Sequence, residues 1–189
     1  MLQVLKLLVM NKNKNMNTSV QDIVNQEIVV EFVTQSALFC VYLEELEQPK
    51  KSEFIDKMLC FLPLLYTKVH QIPLPRISLD GDPERFATEE EYDIIRGKVE
   101  AIMGSDDAYL EVFMEDIRYS DEPITAFISE NIADIHQELD DLVSNWQIDN
   151  DCVRNDALAA CLEAFREHWG QKLLNVLRPL HALSLEVDE

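Results

Sequence analysis

The sequence predicts a single all-α domain, an antiparallel bundle of five or six helices. Apolar residues recur every three or four positions through most of its length, the period of a helix that buries one face. Its 189 residues include 4 glycines and 7 prolines, too few for a turn-rich β architecture. No stretch shows strand-like alternation of apolar and polar residues. The length is that of one ordinary domain, and a hydrophobic content of 47% supplies a core.

Residues 1–17 are expected to be a disordered extension that adds nothing to the fold, with the helical domain at 18–185; translation from Met16 is the alternative. The run 1–10 is greasy, but Lys6 interrupts it and the polar 11–17 follows. The first helix is expected over 19–46, capped by Thr18 or Ser19, and its apolar circumference predicts a central place in the bundle. The second begins near Ser52 and buries Phe54, Met58, Leu62, Leu65 and Val69. Pro63 should kink or split it. Residues 71–88, with three prolines, form the longest irregular connection.

Thr88 followed by Glu91 is a capping box for the third helix, whose stripe is Tyr92, Ile95, Val99 and Ile102 and whose stop is Gly104. A short helix is expected over 106–114, then a polar break at 115–122 with Ser120 and Pro123 suited to restart a helix. The fifth helix spans 127–146. Its apolar face is Ile128, Ile132, Ile135, Leu139, Leu142 and Trp146. Residues 149–151 cap a last helix running to about Leu183, through Leu158, Cys161, Leu162, Phe165, Trp169, Leu173, Val176 and Leu180. Gly170 lies in its middle, where it costs about 1 kcal/mol relative to alanine and permits close approach of another helix.

The net charge is −20, and residues 79–163 hold 24 acidic against 5 basic side chains. Such a field repels phosphate backbones and anionic lipid, so neither nucleic acid nor membrane is an expected partner. A basic protein partner, a cation, or solubility alone fits it. Cys40, Cys60, Cys152 and Cys161 form no CxxC pair and read as free thiols of a reducing cytosol, with Cys40, Cys60 and Cys161 among apolar neighbours. The longest uncharged apolar-rich run, 32–43, is too short to cross a bilayer.

No GxGxxG, P-loop, HExxH or GxSxG motif is present, no cofactor is expected, and an enzyme of familiar design is disfavoured. Four groups remain. His136 and Asp140, at i,i+4 on the fifth helix, could supply two metal ligands, or form a solvated pair flanking the core. Glu130, Asp134, Glu138 and Asp141 make an acidic stripe on that helix. Like charges at this spacing cost roughly 0.2–0.5 kcal/mol per pair, so the stripe faces water, a cation or a basic helix. His168, Trp169 and Gly170 are consecutive on the last helix, with Trp169 on the core side and His168 at its edge. Arg178 and His181, at i,i+3, could hold an anion or pair with the acidic helix.

Two paired motifs carry a resemblance. Ala133-Asp134-Ile135 with Glu138-Leu139, and His168-Trp169-Gly170 with Leu177-Arg178 and Leu180-His181, resemble the "DLADIYRDL" and "HWG…LRALH" segments of a bacterial all-helical family of unknown function, DUF5063. The stretch 61–66, FLPLLY, is similar to its "LPxLY" segment, and 109–113 to its "YxEVF" segment. His136 departs from the tyrosine or tryptophan usual there, and Lys172 stands near a position where a second histidine is common. The resemblance implies an all-helical fold and a bacterial cytoplasmic setting, with no activity, cofactor or catalytic residue attached.

These readings favour a non-enzymatic acidic interaction or adaptor module, monomeric or homodimeric, with an unknown and basic protein partner. The competing class is a helical-bundle metal protein or enzyme using Asp134, His168, Arg178 and His181. Antiparallel packing about a turn near residue 149 makes Arg166 or His168 the expected partner of Asp134. It sends Arg178 and His181 toward the start of the fifth helix.

Overall fold

The computed structural model describes residues 20–79, 81–111 and 124–186. The proposed extension at 1–17 and the restart at Ser120 and Pro123 lie outside them. In chain order the elements are α1 (Val20–Val24), α2 (Glu27–Glu44), α3 (Lys51–Val69), α4 (Glu89–Met103), β1 (Ala108–Glu111), β2 (Ile124–Phe127), α5 (Ile128–Trp146), α6 (Asp151–Ala164) and α7 (Gly170–Glu186). A π turn, Phe165–Trp169, joins the last two into one continuous rod. The architecture is the expected all-α bundle, with a two-stranded hairpin added.

The single helix expected over 19–46 is two. Gln26 is extended (φ −63°, ψ 135°), and its carbonyl accepts from the Val29 and Val30 amides at 2.9 and 3.0 Å. The break lets α1 turn against α6 and bury Val24. Nor is α2 the central helix: Val30, Leu38 and Val41 are exposed. That place belongs to α5, which packs against α2, α4, α6 and α7. Of its predicted stripe it buries Ile128, Ile132, Ile135, Leu139 and Leu142, with Trp146 half-buried, and it also buries Ser129, Asn131, His136, Asp141 and Asn145. Its polar groups enter the interior because distant segments supply hydrogen bonds to most of them, without which burial would cost about 1–3 kcal/mol each.

Pro63 does not split α3. Pro63 is exposed, while Leu62 and Leu65 are fully buried and hold the turn around it. The Thr67 hydroxyl donates to the Pro63 carbonyl at 2.8 Å. The capping box is present: Thr88 accepts from the Glu91 amide and Glu91 accepts from the Thr88 amide and hydroxyl. Gly104, at φ 58°, ends α4.

Of the short helix expected over 106–114, residues 112–114 lie outside the described residues; up to Glu111 the chain is instead a 3-10 turn, Gly104–Asp106, followed by β1. β1 pairs antiparallel with β2, Ala108 opposite Phe127 and Glu111 opposite Ile124. Asp107 ties this hairpin to α5. Its carbonyl accepts from the Ile128 amide at 2.9 Å, and its buried carboxylate accepts from the Ser129 amide and hydroxyl at 2.8 and 2.7 Å. The α5 N-terminus is thus capped by a residue 22 positions upstream.

The connection between α3 and α4 is stapled to the bundle. Buried Asp156 accepts from the Ser78 and Leu79 amides at 2.8 and 2.7 Å. Asn155 donates to the Arg76 carbonyl at 2.7 Å and Asn145 to the Glu84 carbonyl at 2.8 Å. Asp141 accepts from the Phe86 and Ala87 amides at 2.6 and 3.0 Å. Asn150 caps α6 through the Cys152 amide at 2.9 Å. At Gly170 the close neighbour is not another helix. Its amide bonds to the carbonyl of Phe165 five residues back, and a Cβ there would collide with that oxygen and press on the Phe165 ring at 3.0 Å.

Candidate functional site

The acidic stripe of α5 is divided among separate partners. Asp134 pairs with Lys172, not with Arg166 or His168. The mate lies further along the rod than a simple count from the 147–150 turn gives, and the π turn, Phe165–Trp169, intervenes before α7. Glu138 and Asp141 meet Arg85 at 3.2 and 2.8 Å. The hydrogen bond to Asp141 raises the affinity of that guanidinium for its proton, and the Glu138 charge adds to it against burial. Glu130 is exposed. Tyr92, packed near Asp134 and Glu130, is pushed up to about 12 by burial and by those two charges.

The residues of the enzyme reading are dispersed. His168 is exposed, 3.9 Å from the Glu167 carboxylate. His181 lies thirteen residues beyond it on the same rod, roughly 20 Å at 1.5 Å per residue. Arg178 lies on the exposed face of α7 beside β1. Trp169 is buried, its indole Nε1 donating to the Cys161 carbonyl at 3.1 Å. It stacks edge-on with Phe165, which also meets Tyr66 and His70. Of the cysteines, Cys40 and Cys161 are buried and pushed upward by that burial, whereas Cys60 is exposed at the surface of α3; all four are free.

His136 and Asp140 share a face of α5 and line a pocket of about 440 Å³ with Glu44, Glu91 and Lys98. His136 is 4% exposed, and its Nε2 has no hydrogen-bond partner, though Glu44 Oε1 lies 3.4 Å away. Burial lowers the affinity of His136 for a proton, opposed by the Asp140 and Glu91 charges, and burial raises that of Asp140. Among the described residues no three His, Cys, Asp or Glu side chains converge closely enough to hold a metal ion. A second groove, about 630 Å³, runs between β1 and α7 beside Leu110, Leu174 and Arg178.

One surface feature stands apart. On α2, Val30, Thr34, Leu38 and Val41 are exposed along one helical stripe without a charge. Glu27 and Glu45 bound its ends, and Glu31 and Glu44 its flanks. Lys68 of α3 pairs with Glu31; Glu27, Glu44 and Glu45 form no such pair with a lysine or arginine among the described residues. The apolar residues of α2 gave a signal for this face, but it read as a buried circumference.

Among the described residues no helix is long and apolar enough to cross a membrane. The curated proteins include no match to the chain. The crystal structure of protein BF1032 from Bacteroides fragilis is similar, at 36% identity and a TM-score of 0.75, over 86% of this chain and 98% of that one. A family model matches residues 23–186, covering both helical motif pairs and the rod that carries Trp169, and the chain accordingly belongs to the family described as Domain of unknown function (DUF5063).

Proposed function

We propose that this protein is a non-enzymatic interaction module that docks a basic amphipathic segment of a partner protein on the outer face of α2. The observation that supports this is the uncharged stripe Val30, Thr34, Leu38 and Val41 with its rim of four glutamates. An exposed apolar stripe on a helix is complementary to another helix's apolar ridge, and a glutamate rim favours lysine and arginine flanking that ridge. A second copy of this chain is a poorer fit, since it would set one glutamate rim against another in a molecule of net charge −20. A cytoplasmic bacterial setting belongs to the same proposal, supported by four free cysteines and by the bacterial origin of the similar structure.

The test uses a fluorescent synthetic helix with leucines at i, i+3, i+4 and i+7 and lysines on both flanks. Fluorescence anisotropy is expected to show saturable, salt-sensitive binding to the full chain. Affinity is expected to fall about tenfold or more in the double variant Leu38→Glu, Val41→Glu. Equal binding by that variant, or a wild-type dimer in sedimentation that the variant dissociates, overturns the proposal.

A further inference from the structure

We propose that the pocket between α2, α4 and α5, around His136 and Asp140, is a binding site for a guanidinium group. The pocket offers acceptors. Glu44, Glu91 and Asp140 each bring a carboxylate, and the buried His136 Nε2 is left without a hydrogen bond. The one cation at the rim is already engaged: Lys98 donates to the carbonyls of Leu43 and Glu44 at the end of α2. Glu91 spends one oxygen on the Thr88 cap, while the half-buried Asp140 carboxylate makes no hydrogen bond or ion pair among the described residues.

A buried imidazole nitrogen without a hydrogen bond is uncommon, because leaving it so costs about 1–3 kcal/mol; Glu44 Oε1, 3.4 Å away, would form an ion pair with it only if the ring were protonated, which burial opposes. Its presence beside three carboxylates points to a ligand that brings hydrogen-bond donors and positive charge. The acceptors do not converge on one point, as a metal requires. A guanidinium suits them better, since its five N–H groups form a rigid planar fork that spans separated acceptors. Phe86 and Ile94, both partly exposed, supply an apolar wall on which such a plane stacks. The volume, about 440 Å³, admits the alkyl stem as well as the head group.

Binding here does not require α2 to dock a partner, so the two proposals fail separately. The full chain, with isotope-labelled histidine, is titrated with ethylguanidinium, with a blocked Gly-Arg-Gly peptide, with ethylammonium and with calcium. Ethylguanidinium is expected to shift the His136 ring resonances saturably and more tightly than ethylammonium. Glu44→Gln, at an exposed position, and Asp140→Asn should each weaken it about tenfold while leaving the thermal melt intact. Tighter binding of the peptide than of ethylguanidinium assigns the ligand to a partner's arginine; equal binding assigns it to a free guanidino compound. No saturable shift, unchanged affinity in the Glu44→Gln variant, or saturation by calcium in place of the guanidinium overturns the site.

Discussion

His136 shows how one buried side chain couples the fold to pH. Burial holds its folded affinity for a proton below the ordinary value of 6.5, against the opposing pull of Asp140 and Glu91. The unfolded chain therefore takes up a proton that the folded chain resists. The associated stability is present above pH 6.5 and is lost as pH falls below it. Asp140 is shifted the other way, upward from 3.8, so its effect begins at lower pH and destabilises as pH rises. Urea unfolding from about pH 7 to about pH 5 is expected to show a larger loss for the wild type than for His136→Phe. Equal losses would mean that the folded chain protonates His136 as readily as the unfolded one. The spacing of His136 and Asp140 on one helical face was legible in the sequence. The carboxylates that join them were not, because Glu44 and Glu91 come from two other helices.

At the scale of elements, local signals translated well. The Thr88–Glu91 box and the Asn150 cap act within three residues, and both stand as read. The buried stripes of α3, α4, α5 and the last rod follow the helical period. What failed depends on distant partners. β1 and β2 have four residues each, shorter than any period can reveal, and exist through each other and through Asp107. The 71–88 connection looks free in the sequence, yet Asp156 and Asp141 hold its amides from positions more than 50 residues away. Removing Asp156 leaves the Ser78 and Leu79 amides without their acceptor. Asp156→Ala is expected to cost about 2 kcal/mol in denaturant unfolding. Limited proteolysis should then cut first within 71–88; protection equal to the wild type would show that the loop holds without its staple.

For the whole molecule the dominant number is the charge of −20, most of whose carboxylates face water. Raising ionic strength from about 0.01 to about 0.15 M shortens the screening length from roughly 30 to 8 Å. The melting temperature at neutral pH is expected to rise with it, since self-repulsion is relieved more than exposed pairs such as Arg96–Glu100 are weakened. A falling melting temperature would assign net stabilisation to the ion pairs instead. The π turn has a different reach. It acts as a phase shifter between two screws: α6 is threaded to address α1 and α5, and α7 to address α3 and α5. Taking out one residue there, such as exposed Arg166, would restore a uniform pitch but rotate everything downstream by about 100°. Leu173, Val176 and Leu180 would swing out of the core, and Lys172 away from Asp134. Deletion of Arg166 should therefore abolish cooperative unfolding by circular dichroism, whereas deletion of exposed Asp82 should keep it. The extra residue works as an index mark, setting the angle at which the last helix of the chain engages the rest.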